Sequence, residues 1–253
     1  MSWAAKRRAI YLGGVTLFLF VVVGVPVFLL WYEQPTCFDG VQNQGELSID
    51  RGGPCALLHE SQVQPEVVLW ARSFEVIPGV YNAVAYVSNP NFSAGVVAAP
   101  YSFKLFDAEN ILVAERKGVT YVIPNAITSV FEGGVATGNR VPARTFFEFL
   151  SPLEWERVDS PVKGLAVGDR ELTEETSAPR ITAEIKNNSF SDIHNIEVVA
   201  TVFDEQDTAI ASSRTAIESL QQQSSQIVVF TWPRPFTGVV SRIEIVPQAP
   251  FRE

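Results

Sequence analysis

The apolar positions of this chain fall into two regimes. From Ala9 to Tyr32, 24 consecutive positions carry no charged side chain. A helix rises 1.5 Å per residue, so the run reaches about 36 Å, enough to cross a hydrocarbon core of about 30 Å with some tilt. Past residue 64 the pattern changes to short runs broken by Gly, Pro and Asn. Ile181-Thr182-Ala183-Glu184-Ile185-Lys186 alternates apolar and polar, as a strand with one wet face does. Val239 to Val246 repeats this, with Arg242 and Glu244 outward against Ile243 and Ile245. Val67–Trp70, Val80–Val87, Ser102–Asp107, Ile111–Glu115 and Thr145–Leu150 read as further strands. Ala216 to Gln223 is the segment closest to a helical period and is expected to form a short helix or turn.

The β-type runs recur. Val87-Ser88-Asn89-Pro90-Asn91-Phe92-Ser93 matches Ile185-Lys186-Asn187-Asn188-Ser189-Phe190-Ser191. Leu105-Phe106-Asp107 matches Val202-Phe203-Asp204, each followed by a polar turn and another apolar strand. The interval from Asp107 to Asp204 suits one seven-stranded sandwich. The expected fold is therefore mainly β: an N-terminal transmembrane helix followed by two tandem immunoglobulin-like β-sandwich domains. Its segments are a cytoplasmic N-terminus over 1–8, a membrane helix over 9–32, a cysteine-loop stalk over 33–63, and sandwiches over 64–158 and 161–249. Ser151 to Gly164, rich in Pro and charge, reads as a linker that strings the sandwiches in line.

Charge sets the orientation. Lys6, Arg7 and Arg8 precede the apolar run and Glu33 and Asp39 follow it, so the positive-inside rule puts the N-terminus in the cytoplasm. Trp31 and Tyr32 suit the outer interface, and Pro26 is tolerated within a membrane helix. A cleaved signal peptide is the rival reading. The apolar core is longer than the 7–15 residues of such a peptide, and small residues for cleavage are missing at its exit. Beyond residue 32 lie 16 basic and 28 acidic side chains, a net of −12. That excess argues against nucleic acid or anionic lipid as the partner of the ectodomain.

The two cysteines, Cys37 and Cys55, fall on the outer side, where an oxidising compartment favours a disulfide over free thiols. Asp39, Asn43, Glu46 and Asp50 bring four oxygen-bearing side chains into the same loop. They support two readings, a Ca²⁺-stiffened stalk or a solvated, disulfide-closed turn. His59 and His194 are the only histidines, and no G-x-S-x-G, H-E-x-x-H or phosphate-cradling Gly loop accompanies them. His194 reads as a residue of an exposed turn. In Trp232-Pro233-Arg234-Pro235-Phe236, the residues Trp232, Arg234 and Phe236 form either a partner surface or a plug at the open end of a sandwich. Asn91-Phe92-Ser93 and Asn187-Asn188-Ser189 fit the N-glycosylation pattern.

Two segments carry family resemblances. Phe103-Lys104-Leu105-Phe106-Asp107 resembles the signature of FxLYD-type domains, with Phe in place of Tyr, and Ala200-Thr201-Val202-Phe203-Asp204 keeps the aromatic-Asp end. This implies immunoglobulin-like sandwiches of prokaryotic surface proteins and fixes no activity. Pro35-Thr36-Cys37-Phe38-Asp39-Gly40 through Gly52-Gly53-Pro54-Cys55 resembles a cysteine segment of bacterial surface proteins, departing at Arg51 where that segment usually has a further Cys. The expected protein is a non-enzymatic, single-pass cell-membrane protein displaying two domains for protein binding or self-assembly. Its alternatives are a calcium-dependent adhesin, or an anchored hydrolase or accessory subunit with a site at the domain junction near His194.

Overall fold

The computed structural model describes residues 3–27, 36–158 and 164–251. The chain divides into two compact units, residues 1–54 and 55–253. The first begins with helix α1, Trp3–Leu19, which continues through a π-helical stretch, Phe20–Gly24, and remains helical to Val27. Pro26 explains the π stretch. It has no N–H to donate and its ring crowds the carbonyl one turn back, so the preceding turn widens. Lys6–Val27 has a mean hydropathy of 2.3 and buries none of its surface in the protein. Trp31 and Tyr32 lie outside the described residues, as do 159–163 of the linker.

The second unit holds thirteen described strands. The first repeat contains β1 (Val67–Ile77), β2 (Val80–Asn89), β3 (Ala94–Phe106), β4 (Leu112–Val122), β5 (Ala126–Ala136), β6 (Arg144–Phe149) and the two-residue β7 (Glu156–Arg157). The second contains β8 (Leu165–Thr173), β9 (Arg180–Asn187), β10 (Ile193–Phe203), β11 (Ala209–Leu220), β12 (Ser225–Thr231) and β13 (Arg242–Gln248). All named pairings are antiparallel. One repeat sets a β1-β2-β5 sheet against β4-β3-β6, and the other sets β8-β9-β12 against β11-β10-β13, the same path twice. Each sandwich thus has six principal strands where the repeat length suggests seven. Ala216 to Leu220 ends β11, so the weak helical period there yields to ladder pairing with β10.

Alternation builds each core. Tyr81, Ala83, Ala85 and Val87 of β2 meet Tyr101, Phe103 and Leu105 of β3 in the first sandwich. Ile181, Ala183 and Ile185 of β9 meet Ile196, Val198, Ala200 and Val202 of β10 in the second. The opposite faces of β2 and β10 are buried too. Val84 and Tyr86 pack with Phe74, Phe203 and Ala209, backed by Trp70, Phe131 and Val246. The sandwiches are therefore stacked face to face in four layers, and the in-line arrangement expected from the linker is incorrect. Strands buried on both faces read as near-continuous apolar runs, and Ala83–Val87 and Val198–Phe203 are such runs.

Register fixes how the sheets cross. Trp70, Tyr86 and Ser129 lie at one level across the first sandwich. Trp70 meets Phe203 edge-on at 6.3 Å, the Tyr86 hydroxyl donates to Thr201 at 3.1 Å, and Ser129 meets Gln248, which pairs with Glu197. A single level of one sheet thus touches three different levels along β10, at Phe203, Thr201 and Glu197. The strands cross steeply, as in the orthogonal class of sheet packing.

Candidate functional site

The repeated motif residues are structural in both copies. Asn89 and Asn187, 2% and 1% exposed, end β2 and β9. The Asn89 amide donates to the carbonyls of Ala94 and Ile123, and its oxygen accepts from Asn91. Asn187 donates to the carbonyls of Ser191, Leu220 and Gln221 and accepts from Ser189. Each asparagine ties the following loop to the far sheet and lifts an exposed phenylalanine, Phe92 or Phe190, at the tip. Asn187 is consumed in this way and does not present a glycan acceptor. Asp107 accepts from the backbone of Glu109 and Ile111, and Asp204 from that of Gln206 and Thr208. Both open a hairpin by substituting a carboxylate for a backbone acceptor. The Ile111 amide holds the Asp107 carboxyl below its ordinary range against the opposing effect of burial, with help from the Arg140 guanidinium.

The cysteine loop is built on the same chemistry. Cys37 and Cys55 are disulfide-bonded. Asp39 accepts from the amides of Thr36 and Val41, Asp50 from those of Asp39 and Gly40, and Glu46 from those of Asn43 and Asp50. Asn43 turns its amide nitrogen to Asp39 at 2.9 Å. The Thr36 amide is the main reason that the Asp39 carboxyl sits below its ordinary value. Calcium takes six to eight oxygens, and among the described residues Glu46 lies grouped with Cys37 and Cys55 rather than with Asp39 and Asp50. As they stand, the three carboxylates cap a turn-rich backbone, and Asn43 braces Asp39.

Two concavities open where the sandwiches meet. A cavity of about 290 Å³ is walled by Trp70, Tyr86 and Phe203, with Asp207, Arg242 and Glu244 at its rim. Arg242 stacks 3.8 Å from the Phe203 ring centre and reaches Asp207 at 2.7 Å. Burial pushes the Tyr86 phenol up, so it stays a neutral donor. A larger groove of about 800 Å³ runs along residues 142–146 and is lined by Arg72, Glu75, Arg144, Phe146 and Arg234. Neither concavity contains a histidine. His194 is an exposed residue within β10, opposite Ser219, rather than part of a turn. His59 caps a short 3-10 turn, accepting from Ser61 N–H while Gln62 accepts from the His59 amide.

The Trp232 segment divides. Trp232 is buried in the second core and packs edge-on against the half-buried Phe236 at 5.1 Å. Its indole N–H meets no acceptor among the described residues. Arg234 is exposed, 3.9 Å from Glu75 of the first sandwich. The two rings close the sandwich end, and Arg234 and Pro235 line the groove. Sequence reasoning missed that groove because the 234 turn of the second sandwich reaches β1 and β6, which touch through Thr145 and Ser73, only through the stacking of the sandwiches.

No family model matches the chain, and no curated protein matches it. Among solved structures, it is similar to a β-glucuronidase 2 of Bacteroides uniformis at 13% identity, over 68% of this chain and 25% of that one, with a TM-score of 0.25. A red sea bream transglutaminase shows 11% identity over 72% of this chain and 29% of that one, at a TM-score of 0.26. An exo-chitosanase of Amycolatopsis orientalis shows 11% identity over 68% and 25%, at 0.21. The chain spans about a quarter of the length of these structures.

Proposed function

We propose that the chain is a non-enzymatic, single-pass envelope protein that displays two FxLYD-type sandwiches, as one stacked body, for binding or assembly with a protein partner. The observation that carries this reading is the pairing of an apolar helix, Lys6–Val27, that buries nothing in its own protein with a self-contained acidic double sandwich. A hydrocarbon environment accounts for the helix, and the basic cluster at Lys6, Arg7 and Arg8 sets the N-terminus inside. The cysteine loop then lies in an oxidising compartment, in keeping with its disulfide. Carbonate extraction and protease treatment of intact cells test this. The full-length chain is expected in the membrane pellet, with residues 64–251 cut only from outside. A mature N-terminus beginning after residue 27 overturns the anchor, and a chain released by carbonate does the same.

A further inference from the structure

The first sandwich carries an incomplete edge. In its β4-β3-β6 sheet, β6 pairs with β3, and β7 pairs with the beginning of β3 in the same antiparallel sense. The two short strands are consecutive pieces of one line along β3. On the outer side of β7 the chain supplies its own neighbour. Arg157 N–H donates to the Ala56 carbonyl at 2.7 Å, Leu58 N–H donates to the Trp155 carbonyl at 2.8 Å, and Leu57 bridges Glu156. Residues 56–58 therefore stand where a seventh strand would run, and Leu58 is buried with Val96, Val122 and Trp155. Farther along, beside Arg144–Phe149, no strand among the described residues pairs with the outer edge of β6. The 800 Å³ groove lies along that stretch.

The groove also differs in charge from the rest of the ectodomain. Arg72, Arg144 and Arg234 face one carboxylate, Glu75, in a region whose net charge is −12. Among the described residues their one ion pair is Arg234 with Glu75 at 3.9 Å. Among the described residues Arg144 bonds only the Asn110 amide oxygen, at 2.7 Å. Phe146 stands beside them, 56% exposed. An open strand edge offers backbone donors and acceptors to an extended chain, and neighbouring side chains select which chain is taken.

We propose that the β6 edge takes up an extended, acidic segment of a partner protein as an added seventh strand. Main-chain bonds to β6 supply the register. Arg72, Arg144 and Arg234 neutralise the carboxylates of the segment, and Phe146 covers an apolar side chain between them. This deepens the display reading and rests on it.

The test uses the full chain in neutral-lipid nanodiscs and a fluorescent, end-blocked heptapeptide alternating Glu and Val. Anisotropy is expected to show saturable binding. The same peptide N-methylated at alternate amides, and a Lys-Val counterpart, should each bind at least tenfold more weakly. R144E/R234E should invert the preference between the Glu-Val and Lys-Val peptides while keeping the wild-type unfolding midpoint. If that variant unfolds, R144Q/R234Q is used and should weaken the Glu-Val peptide at least fivefold. Absence of saturable Glu-Val binding, equal binding of the N-methylated peptide, or indifference to both charge variants overturns the proposal. Pull-down from native membranes separates the two readings. A partner recovered equally by wild type and R144E/R234E sinks the edge and leaves display standing, whereas no recoverable partner sinks display.

Discussion

Gln248 gives the sharpest test of the stacked arrangement. It is 1% exposed, belongs to the second sandwich, and points its carboxamide at Ser129 of the first. Its oxygen accepts from Ser129 N–H at 2.9 Å and its nitrogen donates to the Ser129 carbonyl at 2.8 Å. β5 is an edge strand, so this amide completes the ladder that Ser129 would otherwise lack. Gln248→Met keeps the volume and removes both backbone bonds, together with the bond from the Ser129 hydroxyl and the 3.3 Å bond to Glu197. Each buried group left without a partner costs about 1–3 kcal/mol, so the two together should destabilise the protein by about 3 kcal/mol. Ser129→Ala removes only the hydroxyl bond to Gln248 at 3.1 Å and should cost below about 1 kcal/mol. Urea unfolding of the full chain in detergent, followed by tryptophan fluorescence, measures both. If Gln248→Met shifts stability no more than Ser129→Ala, the amide does not serve as a surrogate strand and the stacked junction is wrong.

Three further outcomes follow from the same geometry. Asn187→Ala removes the side-chain donor of the Leu220 carbonyl, while those of Ser191 and Gln221 keep the Ser189 and Ser224 hydroxyls, and should cost about 1–3 kcal/mol, read by the same unfolding assay. Asp107 has its pKa lowered in the folded state, so its contribution is full above the unfolded carboxylate value and fades as pH falls through the folded one. Acid titration should therefore show stability falling below about pH 4, with a shallower fall in Asp107→Asn. Reducing the disulfide releases a loop-closure constraint of about 3 kcal/mol in the chain-entropy model. Amide exchange should then quicken within residues 37–54, while the β2 and β10 amides keep their protection; simultaneous loss of the latter would show that the sandwiches depend on the bond.

Local signals carried much of the fold into the sequence. The duplicated Asn and Asp positions were visible because a buried loop anchor and a hairpin acceptor each require one residue type at one place. The single-faced strand β9 was legible from alternation alone, and alternation also turned Ile243 and Ile245 of β13 inward. β11 was harder, since Ala216 to Leu220 has little alternation and owes its extended form to pairing with β10. The junction was misread for a different reason. The linker composition suggested separation, whereas the decisive information lay in the apolar second faces of β2 and β10, which a single-strand reading assigns to one core. Trp232, Phe236 and Arg234 are adjacent in sequence yet divide between core and groove, a split that only tertiary packing makes.

The stacking joins unlike faces. The β1-β2-β5 sheet of the first sandwich meets the β11-β10-β13 sheet of the second, although both sandwiches share one topology. Such a head-to-tail contact does not close on itself: a third copy would meet the same kind of face on either end, and a filament would follow. The outer faces interrupt that growth with charge. Lys104 pairs with Glu148 and Lys117 with Glu115 on one, and Lys186 pairs with Glu184 on the other. Burying these pairs against a further sandwich would strip water from six ions, a penalty that leaves the array at two members.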